Sequence, residues 1–560
     1  VTGAPALPVG LYYHPDAYVA AGRRRLMGRH SAGAGFLAAL LARPETGRVV
    51  PVADDARMAE GFRDAVAAAG RRDLPTDPVP GLRPDMIGAA APTLVLPDPN
   101  LAAHAWRRRR FDQRAYSLCG TTHTTATRQV MDMIADLRLA PVQPWDALVC
   151  TSAAVKAMVR SMLDEQAAYL RDRFGATRIP EPQLPVVPLG IDCAGFARND
   201  VRREHLRARL GMTDGDVAAL WLGRLDLRAK ASMLPLFLAL QEAATACPGR
   251  LHLVLCGWFA SDQQERAIRE AAAAACPGVS LHALDGRDPE TRREALSAAD
   301  LFAFLVDNVQ ETFGLAPVEA MAAGLPVVVT DWDGFRDTVP DGVAGYRVPT
   351  AAPPGRPFGL DLALLHESGG LAYDDYVGAT AQFAGIDLRA AVGAFRALAA
   401  DAGLRARMGA AAAAHARTTL DWSAVMPRWR AVWDELDAIR RTAPESAPKP
   451  ADGEAVPARP DPFAVFAAWP SGHVGPDTAV EADGPRDRAA RIARIGLPTA
   501  ALAPGLLPTG DECLAILDLL DREGPMTAAA IADRISPARR IRIMRALPWL
   551  MKIGLVRPTG

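Results

Sequence analysis

Between residues 217 and 348 apolar runs recur without polar alternation: VAALWL at 217–222, LHLVLC at 251–256, then 279–284, LFAFLV at 301–306 and PVVVT at 326–330. A strand with one wet face alternates polar and apolar residues, whereas one that reads apolar throughout is covered on both faces. Helical stretches at 233–246, 261–275 and 289–299 separate the runs, so a parallel sheet flanked by helices is expected, a Rossmann-like domain. The first 190 residues repeat the beat more weakly, with strands expected at 8–13, 92–96 and 146–151 and helices after Ser31 and Ser152. Two such α/β domains in tandem place a ligand in the cleft between them.

Alanine-rich helical sequence follows at 359–440, and the Pro/Ala-rich stretch 442–462 reads as a linker. The expected division is 1–190, an N-terminal Rossmann-like domain; 191–440, a second one; 441–505, a linker; and 506–560, a small helical unit. In that last unit a helix over DECLAILDLLDRE precedes one capped by Thr527 and one opening at Ser536-Pro537, with Pro548 expected to interrupt the third. Three short helices and a final extended piece resemble a winged helix.

Charge narrows the partners. Lys+Arg of 63 against Asp+Glu of 64 leaves no global field to hold nucleic acid or acidic lipid. In the tail, Arg539, Arg540, Arg542, Arg545 and Lys552 form a local basic cluster, but Asp511, Glu512, Asp518, Asp521, Glu523 and Asp533 offset it, which argues against DNA and for a protein or peptide contact through 506–560. Arg107–Arg110, flanked by Trp106 and Phe111, is a candidate peripheral contact with anionic lipid. Seven scattered cysteines with no C-x-x-C pair argue against disulfides and a cysteine zinc site. With no signal-peptide pattern and no apolar run of about 20 residues, a cytoplasmic location is expected, at most peripheral to the membrane's inner face.

The sharpest segment is Glu311-Thr-Phe-Gly-Leu-Ala-Pro-Val-Glu319. Glu311 falls in the loop after the strand 301–306. A helix starting near Phe313–Gly314 would carry Glu319 about two turns in. Loop N–H groups and the helix N-terminus make an anion site at the strand's carboxyl end. Two carboxylates beside it suit hydroxyls, and phosphate plus hydroxyls is the chemistry of a nucleotide-sugar.

This segment resembles the E-x7-E signature of retaining GT-B glycosyltransferases of family 4. Other motifs follow in the family's order: Gly28-Arg-His-Ser-Ala-Gly33 resembles the first glycine-rich turn, Thr121-Thr122-His123 the acceptor-side histidine loop, and Asp146–Ser152 the last strand and helix start of the N-terminal domain. Val187–Asp192 resembles the hinge, Gly223-Arg224-Leu225 with Lys230 the basic pair at the donor diphosphate, and Asp421-Trp422 the lead into the final helix. Lys230 lies one residue further from Arg224 than the usual spacing. Asp333 replaces a glycine and Asp337 a glutamate, departures that mark a subgroup.

The resemblance implies a GT-B fold and transfer of a hexose, with retention, from a nucleoside diphosphate sugar to an unidentified acceptor (a glycan, a lipid-linked glycan, or a protein or peptide). It implies that Glu319 holds the ribose and Glu311 the transferred sugar. Arg224, Lys230 and the N–H groups of Phe313, Gly314 and Leu315 would neutralise the diphosphate, Gly28 would let backbone approach it, and His123 would orient sugar or acceptor. No cofactor and no metal are expected, although Asp331-Trp332-Asp333 spells the D-x-D of metal-dependent transferases. The rival readings are a non-catalytic nucleotide-sugar-sensing regulator whose tail binds DNA or protein, and a GT-B phosphorylase or epimerase. The phosphorylase is disfavoured by the presence of only four lysines, Lys156, Lys230, Lys449 and Lys552.

Overall fold

The computed structural model describes residues 7–19, 28–42, 48–71, 74 and 76–559. Among them, residues up to Pro457 form one compact unit and Ala458 onward a second.

The first unit holds two six-stranded sheets. The N-terminal one is built from β1 (Val9–Tyr12), β2 (Val49–Ala53), β3 (Val79–Pro80), β4 (Thr93–Val95), β5 (Ser117–Thr121) and β6 (Ala147–Val149), in the order β3-β2-β1-β4-β5-β6. The other contains β7 (Val217–Leu222), β8 (Leu251–Gly257), β9 (Ser280–Asp285), β10 (Leu301–Phe304), β11 (Val327–Thr330) and β12 (Gly345–Val348), in the order β12-β11-β10-β7-β8-β9. All pairings in both are parallel. These are two Rossmann-like sheets with the switch in strand order that leaves a crevice at the carboxyl ends, the GT-B architecture expected from the sequence. The apolar runs of the second sheet are strands as read. β2, β3, β5 and β12 were not anticipated.

Helices that matter for the cleft are α1 (Gly28–Ala42), α2 (Ala153–Phe174), α3 (Leu315–Ala322), α4 (Leu360–Glu367), α5 (Tyr373–Ala381) and α6 (Trp422–Thr442). Ser152 caps α2 as expected, its hydroxyl accepting from the Val155 N–H. The helix expected after Ser31 is already formed at Gly28, the first described residue of its stretch. Helix α6 returns to the N-terminal sheet, where Trp422, Trp429, Trp433 and Leu436 join the core that contains Leu11, Phe36 and Phe62. The second half therefore contributes its last helix to the core of the first.

Two expectations fail around the end of this unit. The 441–505 stretch is not a free linker. Arg109 donates to the carbonyls of Ala447, Pro448, Glu454 and Ala455, Gln113 bonds the carbonyl of Ala447, and Ala455 and Val456 are buried. Backbone carbonyls of a proline-rich segment have few N–H partners of their own, and arginine supplies them. The basic cluster is likewise not a lipid-facing patch: Arg108 is fully buried against Asp146, Arg109 holds this segment, and Arg107 pairs with Asp54, leaving Arg110 alone exposed.

In the second unit, β15 (Ala479–Ala482) pairs antiparallel with both β16 (Met526–Thr527) and β17 (Val556–Pro558), so its sheet begins inside the expected linker. (β13, Thr350–Ala351, and β14, Gly385–Ile386, form a short antiparallel pair in the first unit.) Helices α7 (Arg488–Ile495), α8 (Gly510–Glu523), α9 (Ala528–Ile535) and α10 (Arg540–Lys552) complete it around Val480, Ile516, Ile531 and Leu547. Thr509 and Glu512 form a reciprocal capping box on α8. Helix α10 runs on through Pro548 rather than breaking there. Arg539 pairs with Glu512 and Arg540 with Asp533, so two of the five cations of the basic cluster are neutralised within the unit.

Candidate active site

A cavity of about 450 Å³ opens at the carboxyl ends of both sheets, lined from one side by Gly28, Arg29, Ser31, His123, Thr124 and Thr127. From the other side come Arg224, Lys230, Trp258, Arg292, Glu311, Phe313, Gly314, Leu315, Glu319 and Tyr373. All nine site residues proposed from the sequence line this one cavity.

The loop after β10 is shaped by Gly314. It has φ +89, and a Cβ there would lie 2.2 Å from the Phe335 ring, so only glycine fits. It caps α3 without a side-chain bond, leaving the helix's first N–H groups facing the cavity as an anion site. Glu319 is the fifth residue of α3, a little over one turn in rather than two. Its carboxyl is pushed up to about 7 by desolvation, partly offset by Arg292.

Lys230 and Glu311 meet at 2.5 Å, both side chains less than a fifth exposed, with the ammonium 4.7 Å from the Phe304 ring centroid. The extra residue between Arg224 and Lys230 is absorbed by a turn in which Lys230 N–H bonds the Asp226 carbonyl and Asp226 accepts from Arg228 and Ala229 N–H. Arg224 donates to the Ala229 carbonyl at 2.8 Å, pairs with Asp226 at 3.2 Å and lies over Trp258. Gly28 lines the cavity, and a Cβ there would meet no atom of the described residues within 4 Å.

His123 is pushed down to about 4 by burial and by the Arg29 charge, so its ring is neutral near pH 7. Its carbonyl accepts from the Thr312 hydroxyl across the cleft. The loop after β11 also crosses: Asp333 accepts from the Ser152 hydroxyl at 3.1 Å, and Asp337 from the Ala153 N–H at 2.6 Å, at the positive end of α2. Asp333 holds φ +41, uncommon for a non-glycine residue, and burial pushes its carboxyl up to about 7. The D-x-D pair is thus divided, Asp331 facing Arg336 and Arg347 and Asp333 facing Ser152.

Sequence reasoning missed Arg29, Thr124, Trp258, Arg292, Gln310 and Tyr373. Arg29 and Gln310 adjoin motif residues and were within reach of it. Tyr373 belongs to no motif.

Residues 217–355 match the family described as Glycosyl transferases group 1, a stretch that runs from β7 past β12. The chain is 32% identical over 188 residues to a D-inositol 3-phosphate glycosyltransferase of Nocardia farcinica, covering 33% of this chain and 40% of that protein. It is 27% identical over 178 residues to a lipopolysaccharide 1,2-N-acetylglucosaminetransferase of Salmonella typhimurium, covering 31% and 45%. The match thus spans less than half of either relative. Among solved structures, sucrose-phosphate synthase from Thermosynechococcus elongatus aligns with a TM-score of 0.47 at 18% identity, covering 77% of this chain and 99% of that one.

Proposed function

We propose that this chain is a retaining GT-B glycosyltransferase of the family 4 type that moves a hexose from a nucleoside diphosphate sugar to an acceptor hydroxyl. One observation carries the reading: the Lys230–Glu311 pair, Arg224, the N-terminus of α3 and Glu319 all line a single cavity between two Rossmann-like sheets. The match of the second sheet's residues to Glycosyl transferases group 1 supports it, as do the named activities of the partial relatives.

In this reading the diphosphate lies between the α3 N-terminus and the cations of Arg224 and Lys230. The bond from the anomeric carbon to the diphosphate breaks while the bond to the acceptor oxygen forms on the same face, and the acceptor's proton passes to the departing phosphate oxygen. The protein's part is electrostatic: donors and cations fixed in advance where negative charge grows. Donor arrival frees Lys230 from Glu311 for the phosphate, and Glu311 for the sugar's hydroxyls. Glu319 accepts from the ribose hydroxyls, and neutral His123 orients sugar or acceptor.

Thermal unfolding with UDP, GDP and ADP in turn tests this. At 100 times its dissociation constant a ligand adds about 2.7 kcal/mol, a shift of roughly 3 °C for a unit of this size. One nucleotide should give that shift in the wild type and a much smaller one in Glu319→Ala. Equal shifts in both proteins would remove Glu319 from the ribose, and no shift with any nucleotide would overturn the donor reading.

A further inference from the structure

Strand β12 does not lead directly into the helix Leu388–Ala400. The short antiparallel pair β13–β14 pinches off residues 352–384 as a lobe containing α4 and α5. That lobe is bound to the turn carrying Lys230. Asp375 pairs with Arg228 at 2.7 Å, Asn308 from the loop after β10 bridges the two by donating to the carbonyls of Arg228 and Val377, and Gly378 approaches so closely that a Cβ would lie 2.9 Å from Arg228 Cα. It also reaches the opposite half. Arg128 donates to the carbonyls of His366 and Glu367 at the end of α4, and Ala126, Ala229 and Val377 are buried together.

At the inner end stands Tyr373, the first residue of α5. Its hydroxyl is 3.1 Å from Thr124 Oγ1 and donates to Gln310 Oε1 at 3.1 Å, while the Gln310 amide donates to the Ala229 carbonyl. With the hydroxyl and the amide both engaged, the ring is what Tyr373 leaves for the cavity it lines.

Charge in the cavity wall is segregated. Arg224, Lys230, Arg287, Arg292, Glu311 and Glu319 all come from the second half. Among the described residues the wall opposite offers Ser31, His123, Thr124 and Thr127, with Arg29 its single cation, exposed at the rim. Neutral groups that both donate and accept match hydroxyls, which do the same, and an anion bound there would be left with unmatched charge.

We propose that the α4–α5 lobe forms the acceptor subsite, that Tyr373 is its specificity-determining residue, and that the acceptor group it takes is an uncharged sugar ring seated on the Tyr373 face between His123 and Gln310. The inference rests on the glycosyltransferase reading and deepens it. An aromatic platform in such a subsite costs little ordering on binding, because the lobe and both halves already hold the ring in place.

The test uses the full chain saturated with whichever nucleotide stabilises it, and methyl glucoside, glucose 6-phosphate and glucuronate as probes, titrated by ligand-observed NMR. Methyl glucoside should bind the wild type, weaken about tenfold in Tyr373→Ala, the size of one lost ring contact or hydrogen bond, and largely recover in Tyr373→Phe. The nucleotide's own thermal shift should be unchanged in both variants. Stronger binding of the two anionic probes, lost in Arg29→Ala, would overturn the uncharged class. Binding of methyl glucoside that ignores Tyr373, or no binding of any probe with nucleotide bound, would overturn the subsite. Absence of nucleotide stabilisation is a separate result, which removes the donor reading and this inference with it.

Discussion

Glu319 stands in the cavity wall with its carboxyl raised from 4.5 to about 7 by desolvation. In the unfolded chain it ionises near 4.5, so between 4.5 and 7 the unfolded state binds fewer protons. Its contribution to stability is fully present below that window and is lost as pH rises through it. The melting temperature of Glu319→Gln should therefore gain on the wild type as pH rises from 4.5 to 7, measured by paired thermal scans. Arg108 and Asp146 present the opposite case, a charge pair with no exposure at all. Asp146 accepts two bonds from Arg108 and one each from the Leu118 and Gln143 N–H groups. Removing one member strands the other in the core, so Arg108→Ala should lose about 3–5 kcal/mol in a urea titration. The double change Arg108→Met with Asp146→Leu should recover part of that loss.

The loop-and-helix element from Glu311 to Ala322 depends on backbone shape more than on side chains. Gly314→Ala adds a methyl group aimed at Phe335 on a backbone with φ +89, so the loop must move. Nucleotide stabilisation should disappear in thermal scans, with a loss of fold stability of about 1–3 kcal/mol. This element was legible in the sequence because its carboxylates, glycine and following apolar run occur together at fixed spacing. Ser152 was legible for a similar reason, a hydroxyl residue at the end of an apolar run. The helical state of Gly28–His30 was not: nothing local in Gly28-Arg29-His30 marks them as helix before Ser31. The arginine run 107–110 misled because charge density predicts exposure only when no buried partner awaits. Here Asp146, 36 residues beyond the run, and carbonyls more than 330 residues beyond it provide those partners. Tyr373 was beyond reach for the same reason, since its role depends on Thr124 and Gln310, which only the folded chain brings near.

For the whole molecule, the segment 443–457 belongs with the first unit although its composition reads as a tether. A chain ending at residue 457 should therefore melt several degrees above one ending at 442, because the shorter chain leaves Arg109, Gln113 and Gln143 without the carbonyls they hold. Both should retain the nucleotide-dependent shift, since every residue lining the cavity lies before 374. Helix α6 carries a different consequence. Trp422, Trp429, Trp433 and Leu436 complete a core otherwise built from residues between Val9 and Val187. At about 5–20 residues per second on the ribosome, roughly 10–50 s pass between the synthesis of Val187 and that of Leu436. The second sheet's own core, which draws on residues up to Leu420, is complete only near the end of that interval, and until then the first still lacks three tryptophans. The half that emerges first is thus the last to complete its core, and a chaperone meeting the nascent chain would find apolar surface still open on it.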